Sequence, residues 1–212
     1  MHPRPGDLAL TGSARDLLTT AEHSEVVGAA GIVALVDGAG NLAELAVDPH
    51  NQRTGQLLGR PVAGGFRQAV HEHFPSDVAA GTPLALLLDD LPVATLISGY
   101  ARLYSGDIPA DSAREGMKSD ICSGWRSEGT MMTSVNAGLG VPVTVGPHAP
   151  TLDTDRIDDE LAWHDIGMLP EGSMRRRRLV DVRTDSGRWI VTAMFRDTHV
   201  QMGGSETVLH EY

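Results

Sequence analysis

The sequence predicts an α+β fold in which an antiparallel sheet, built from repeated hairpins, has helices packed on one face. Three observations lead to this prediction. Apolar runs separated by glycine-rich turns occupy the first 50 residues, apolar residues at helical spacing follow from residue 65 to 104, and strand-like segments return after residue 174. Aromatic residues make up only 4% of the chain, so aliphatic side chains must fill the core.

Three strands are predicted first, over residues 8–20, 25–37 and 42–47. The second strand ends at Asp-Gly-Ala-Gly-Asn, which favours a hairpin turn because glycine readily adopts positive φ. Asp48-Pro49 ends the third strand, since proline cannot donate a hydrogen bond to a sheet. The three strands therefore predict an antiparallel meander.

Two main helices are predicted next. Phe66, Ala69 and Val70 recur at spacings of three and four within residues 65–74, as on one face of a helix. A second helix is expected to begin with Thr82 as its N-cap and Pro83 at its first position, because proline's missing N–H is not needed there. It should kink or restart at Pro92 and continue to residue 104.

The remainder of the chain divides in two. Residues 106–173 are rich in Gly, Pro, Asp and Ser, and are expected to cover the sheet, with a short helix at residues 158–166. Strands are then predicted at residues 178–183 and 188–197, and a further strand begins near Glu206. The predicted organisation is a first repeat unit over residues 1–105, a covering segment over 106–173, and a partial second unit over 174–212.

An internal repeat is the basis of that organisation. Residues 7–31 align without gaps with residues 188–212, with six identities in 25 positions; average composition predicts roughly one or two. Arg15-Asp16 then matches Arg196-Asp197. Because the second copy stops half built and a lone hairpin is marginally stable, either it completes the first sheet or a further segment or partner chain completes it. A homo-oligomer is one such arrangement.

Charge and composition exclude several classes of partner. The net charge of −11 and the sequence pI of about 5.1 disfavour nucleic acid and anionic lipid, although residues 175–178 are all arginine. That run is expected to pair with the acidic residues 153–160. Residues 84–101 contain Asp89, Asp90 and Pro92 and are interpreted as too polar and too short to span a membrane. The single cysteine and the absence of a secretory leader predict a cytoplasmic protein.

Four segments of the chain resemble a known family. They are Arg15-Asp16-Leu17-Leu18-Thr19, Gly65-Phe66-Arg67-Gln68-Ala69, Gly81-Thr82-Pro83-Leu84 with Leu87-Leu88-Asp89-Asp90-Leu91, and Met174-Arg175-Arg176-Arg177-Arg178 with His210-Glu211-Tyr212. Together they resemble a bacterial family catalogued as domain of unknown function 2889. The resemblance implies a longer protein with two related halves. It implies no chemistry. The family has a Gly-Cys-Thr-His-like segment, but the corresponding residues 81–84 of this chain contain neither cysteine nor histidine.

A catalytic centre is predicted in the irregular segment. Asp120, Cys122, Trp125 and Arg126 fall within seven residues and combine a carboxylate, a thiol, an indole and a guanidinium. Trp125 would stack a ring, Arg126 would bind an acid group, and Cys122 could act as a nucleophile if a histidine such as His164 served as base. The alternative is that Trp125 and Cys122 only pin a long loop to the core.

A second candidate site follows from the repeat. Arg15 and Asp16, together with Arg196 and Asp197, would form two halves of one ligand site, with His199 beside it. The alternative is that each Arg-Asp pair closes a strand end. No zinc-ligand or dinucleotide spacing occurs, so neither metal nor cofactor is expected.

The predicted function is a cofactor-independent, acid–base lyase or hydrolase acting on an aromatic or acidic small molecule. The alternative is a non-catalytic small-ligand-binding or assembly protein.

Overall fold

The protein divides into two compact units, seen in a computed structural model that describes residues 4–104, 119–120, 125–139, 164 and 167–211. The first unit contains the N-terminal sheet and the helices as far as Ile97. The second contains the end of the long helix from Ser98 and the C-terminal sheet. The division therefore falls within a helix. Two antiparallel three-stranded sheets and several helices confirm the α+β prediction.

The first sheet has the order β1-β2-β3, with β1 at Leu8–Thr19, β2 at Ser24–Val36 and β3 at Leu42–Asp48. All three strands lie where the alternating apolar residues predict them, within a residue or two. The turn before β3 begins at Asp37, whose carboxylate Oδ1 accepts hydrogen bonds from the amides of Ala39 and Asn41 at 2.9 Å each. Gly40 has φ +85°, the left-handed conformation that glycine supplies at no steric cost.

The helices of the first unit begin with a 3₁₀ helix at Gln52–Leu57. Helix α1 spans Phe66–His73, α2 spans Pro75–Ala80 and α3 spans Pro83–Tyr104. Helix α2 was not predicted from the sequence. It begins with proline at its first position and ends at Gly81, which has φ +62°.

Helices cover one face of the first sheet, as predicted. Alternate residues of β2 point into the core, where they meet the apolar sides of α1 and α3. The buried residues of this core are Ala30, Ile32, Ala34, Val36, Leu42, Leu57, Val62, Phe66, Ala69, Val70, Phe74, Leu84, Leu88 and Leu91. Every one of them is apolar, so the first unit is held together by hydrophobic burial.

Helix α3 begins as the sequence predicts, with the Thr82 hydroxyl accepting a hydrogen bond from the Ala85 amide at 3.3 Å. The helix is assigned without interruption through Pro92. By length and composition alone, its residues 83–102 could cross a membrane, contrary to the interpretation that this stretch is too short and too polar. A third of that stretch is buried, and Leu84, Leu88 and Leu91 pack in the core of the first unit, as in a core helix.

The second sheet has the order β4-β5-β6, with β4 at Met174–Asp185, β5 at Arg188–Val200 and β6 at Glu206–Glu211. Strands β4 and β5 are longer than predicted because all four consecutive arginines belong to β4. Helix α4, at Thr130–Asn136, was not predicted. The short helix predicted at residues 158–166 lies almost wholly outside the described residues.

The two sheets repeat one strand plan. The first strands have 12 residues each and the second strands 13, and a shorter third strand follows. The turns at Asp37–Asn41 and Gln201–Ser205 have the same two hydrogen bonds. The first amide donates to the fifth carbonyl at 2.9 Å in both, and the fourth amide donates to the first carbonyl at 2.8 Å and 3.0 Å. Ser24 therefore corresponds to Arg188, and Leu42 to Glu206.

This correspondence differs from the sequence alignment of Arg15-Asp16 with Arg196-Asp197. One feature favours that alignment, because the strand register shifts directly after Asp16 and directly after Asp197. However, β1 is an edge strand and β5 is a central strand. Arg196 takes the place of Ile32 in the first sheet, not of Arg15. The strand positions give no support to a two-fold site made from the two Arg-Asp pairs.

Candidate functional site

All the buried polar side chains of the described residues lie in the second unit. They are Ser98, Arg175, Arg196, Asp197, Thr198, His199 and Thr207. Charged side chains are almost never fully buried unless they are paired, because burial removes them from water. Six of the seven lie in the second sheet and Ser98 lies in α3, so the candidate site is in the second unit.

The strand register places three arginines on one face of this sheet. Arg175 lies opposite Thr198, and Arg177 lies opposite Arg196. Residues directly opposite each other in an antiparallel pair point to the same side. We call the part of this side around Arg177 the arginine face. It is defined by six residues: Arg175, Arg177, Arg196, Thr198, Glu206 and Glu211.

The arginine face lies on the side of the second sheet that corresponds to the apolar core face of the first sheet. Arg196 stands at the position of Ile32, and Thr198 stands at the position of Ala34, by the strand correspondence described above. Ile32 and Ala34 are buried under the helices of the first unit. The same position in the same strand plan thus holds a hydrocarbon in one unit and a buried cation in the other.

Two of the three arginines on this face have carboxylate partners. The Arg196 Nε donates to Glu211 Oε2 at 2.6 Å. The Arg175 Nε lies 3.6 Å from Glu206 Oε1, and the Thr198 hydroxyl donates to the same Glu206 carboxylate. The short charge-assisted hydrogen bond from Arg196 orients its guanidinium, whereas Arg175 and Glu206 form only an ion-pair contact.

Arg177 is different. Its half-buried side chain forms no hydrogen bond and no ion pair with any described residue. Burial lowers the pKa of the Arg177 guanidinium, the nearby charge of Arg175 lowers it further, and Glu206 only partly offsets this. Within the six residues that define the arginine face, three guanidiniums and two carboxylates leave one excess positive charge, and Arg177 is the guanidinium without a carboxylate contact among the described residues.

The opposite face of the sheet holds a closed ion pair. Arg176 donates two hydrogen bonds of 2.8 Å to the two carboxylate oxygens of Asp197, whose side chain is only 1% exposed. The Arg176 guanidinium also lies 4.6 Å from the centre of the Phe195 ring. The exposed His210 has its Nδ1 3.6 Å from Asp197 Oδ2. These contacts pair the Asp197 carboxylate with a cation and orient the Arg176 guanidinium.

His199 is buried on the same side as Asp197. Its ring meets the ring of Tyr100, from α3, edge to face with centroids 5.4 Å apart. Burial lowers the pKa of His199. The imidazole is therefore neutral at neutral pH, which suits a packing role or a hydrogen-bonding role better than binding an anion.

Of the predicted catalytic segment, the structure describes Asp120, Trp125 and Arg126. The Asp120 amide donates to the Trp125 carbonyl at 2.8 Å, and its carboxylate accepts hydrogen bonds from the amide and hydroxyl of Ser127. Asp120 is exposed, and these hydrogen bonds lower the pKa of its carboxyl group. A lowered pKa makes the carboxylate a weaker base, so this geometry favours loop closure over acid–base chemistry.

The structure describes part of the remaining predicted centre, in which the Trp125 carbonyl contacts the Asp120 amide. Trp125 is half-buried and Arg126 is exposed, while Cys122 lies outside the described residues. His164 belongs to the other unit. Burial lowers its pKa, as does the positive charge of Arg15. Arg15 is half-buried at the edge strand β1, and Asp16 beside it is exposed.

Sequence reasoning missed Arg175, Arg177, Glu206 and Glu211 as site residues. The four arginines appear in sequence as one basic run, but in a strand they alternate between the two faces of the sheet. Their carboxylate partners on the arginine face are Glu206 and Glu211 of β6. A sequence signal did exist: placed in β4, the run puts two arginines on each face.

Comparison with known proteins adds nothing to this geometry, because no protein-family model, curated protein or solved structure matches the chain.

Proposed function

We propose that this protein binds a small anionic molecule on the arginine face, with Arg177 as the main contact. The carrying observation is the half-buried Arg177 guanidinium, which has no hydrogen bond or ion pair among the described residues. A carboxylate or phosphate could accept two parallel hydrogen bonds from its planar fork. It would also neutralise the excess positive charge left by three arginines and two glutamates.

The neighbouring groups support an acidic metabolite. Glu211 accepts a hydrogen bond from Arg196 and Glu206 lies beside Arg175, so both cations flanking Arg177 have a neighbouring carboxylate before a ligand arrives. Preorganised donors bind more tightly because less side-chain entropy is lost on binding. The same glutamates would repel a ligand with many negative charges. A compact anion with one or two acidic groups fits this balance best.

Binding without chemistry is the form of this function that the geometry favours. A lyase or hydrolase would need a free general base close to the ligand. The two carboxylates that define the arginine face, Glu206 and Glu211, both contact arginines. His210 lies on the other side of the sheet, beside Asp197. Turnover of a bound acid would extend the proposal to an enzyme.

The test is calorimetric titration of the full chain with succinate, benzoate and inorganic phosphate, first unmodified and then as Arg177→Gln. This substitution should weaken binding by roughly 10- to 100-fold, because hydrogen bonds to charged groups contribute about 1.5–3 kcal/mol. Arg183→Gln is the matched control, since Arg183 lies in the same strand on the same side but is exposed. Its affinity should equal that of the unmodified protein.

Stability provides a second readout. Arg177→Gln should leave the unliganded protein as stable as before, or slightly more stable, because it removes a half-buried cation flanked by two others. A purely structural arginine would show the opposite, a loss of stability. The proposal is wrong if none of the three anions binds, or if Arg177→Gln and Arg183→Gln have equal effects on affinity.

A further inference from the structure

The outer half of the β4–β5 hairpin has an apolar side that faces solvent. Val180 pairs with Ala193, Val182 with Val191, and Thr184 with Trp189. These six residues share one side of the sheet and none of them is charged. We call this side the valine face. Four large side chains are exposed on it: Val180 at 67%, Val182 at 54%, Trp189 at 75% and Val191 at 63%.

Apolar and polar residues alternate along these strands, but the apolar side is the one exposed to solvent. Polar residues such as Asp181, Arg183 and Thr192 occupy the other side of the same hairpin segment. An antiparallel sheet with one covered face normally turns its apolar residues toward the cover and its polar residues toward water. Here the apolar side has no cover within the described residues, and its size lies in the range that marks an interaction surface.

We propose that the valine face is the contact surface between two copies of this chain. The four exposed side chains present roughly 400–450 Å² of apolar surface in each copy. Two copies packed face to face would remove about 800–900 Å² from these residues alone. With Thr184, Ala193 and the adjoining backbone, the total reaches the roughly 1,000 Å² that a specific interface needs.

A second copy suits this surface because the valine face is uncharged and can be its own complement. A two-fold contact requires only that one patch pack against the same patch. An acidic partner would find no cation among these six residues. Edge-to-edge pairing through β4 is disfavoured, because four consecutive arginines in an edge strand would meet arginines of the other copy.

The net charge gives this contact a distinctive salt dependence. Each copy carries a formal charge of −11, so two copies repel each other at low ionic strength. Salt screens this repulsion and leaves the apolar contact intact. Association should therefore strengthen as sodium chloride is raised, whereas a contact between opposite charges would weaken. Anion binding on the arginine face weakens with salt, so the two proposals can fail independently.

The experiment is sedimentation equilibrium of the full chain from about 1 to about 100 µM, at low and high sodium chloride, with two matched variants. Val191→Asp places a charge on the valine face. Thr192→Asp places the same charge at the next residue, on the opposite side of the same strand. Both positions are exposed, so neither substitution should unfold the monomer, which circular dichroism would verify.

We expect the unmodified chain and Thr192→Asp to form dimers, and Val191→Asp to dissociate at least about 30-fold more readily. Trp189→Ser, which adds no charge, should weaken the dimer in the same direction. A monomer at the highest concentration and salt would overturn the proposal. So would dimers that persist in Val191→Asp, or dissociation that is equal in both aspartate variants.

Discussion

Replacing Asp197 by asparagine should lower the free energy of unfolding by about 3 kcal/mol. The carboxylate is 1% exposed and accepts two 2.8 Å hydrogen bonds from Arg176, which is itself 15% exposed. Asparagine keeps the shape of the side chain but leaves the Arg176 cation without its counter-charge in a largely dry site. Removing one partner of a buried ion pair costs about 3–5 kcal/mol, and the lower value applies because Arg176 keeps some water and the Phe195 ring.

Urea denaturation followed by circular dichroism measures this change. With a slope of about 2 kcal/mol per molar urea, the midpoint should fall by about 1.5 M. Asp16→Asn is the matched control, because Asp16 is an exposed aspartate that also precedes a register shift in its strand. Its effect should stay below about 0.5 kcal/mol. The double variant Arg176→Leu with Asp197→Leu should recover part of the loss, since it leaves no unpaired charge.

Equal losses in Asp197→Asn and Asp16→Asn would refute this reasoning. They would mean that the buried pair contributes no more to stability than an exposed carboxylate, and that the second unit does not depend on its internal ion pairs.

Two further outcomes follow from single residues. Burial lowers the pKa of His199 below its ordinary value of 6.5, so below that pH the unfolded chain binds a proton that the folded chain does not. The free energy of unfolding should therefore be highest above pH 6.5 and decline as the pH falls further. His199→Gln should reduce that decline in urea midpoints measured between pH 7.5 and 5.5. Gly204→Ala should lower the free energy of unfolding by about 1 kcal/mol, because Gly204 has φ +79°. The control is Gly55→Ala, at a glycine without positive φ and with open space around it. This control should cause no measurable change in thermal denaturation.

The first sheet was predictable because its local and its tertiary requirements agree. Apolar residues alternate along β2, a glycine stands where the turn needs positive φ, and Thr82 caps the helix that covers the sheet. Each of these signals is contained within a few neighbouring residues. They therefore fixed the strand bounds and the face on which the helices pack.

The elements that were missed lack such local signals. Helix α4 is mostly threonine, serine, valine and asparagine, which are weak helix formers, so its pattern is not distinctive. Strand β4 opens with four arginines, a run that usually lies in solvent. In the folded protein β4 pairs with β5 along its length, and β5 and β6 supply Asp197 and Glu206 as counter-charges for Arg176 and Arg175.

The arginine face was unpredictable from the chain order for a related reason. Arg177 and Glu206 come to the same face only after two strand pairings are made, and a shift of one residue would send each side chain to the other face. Alignment on identical residues matched Arg196 with Arg15, whereas alignment on the turns matches it with Ile32.

The correspondence of Arg196 with Ile32 also bears on function. If the two sheets share one strand plan, stability alone requires only what the first sheet has, an apolar face under apolar cover. Replacing Ile32 and Ala34 by Arg196 and Thr198 exchanges hydrocarbon burial for ion pairs that, on balance, add little or no stability. Selection for folding would not favour that exchange. A requirement to hold cations in a partly dry arrangement would favour it, and this is the reason for proposing anion binding at Arg177.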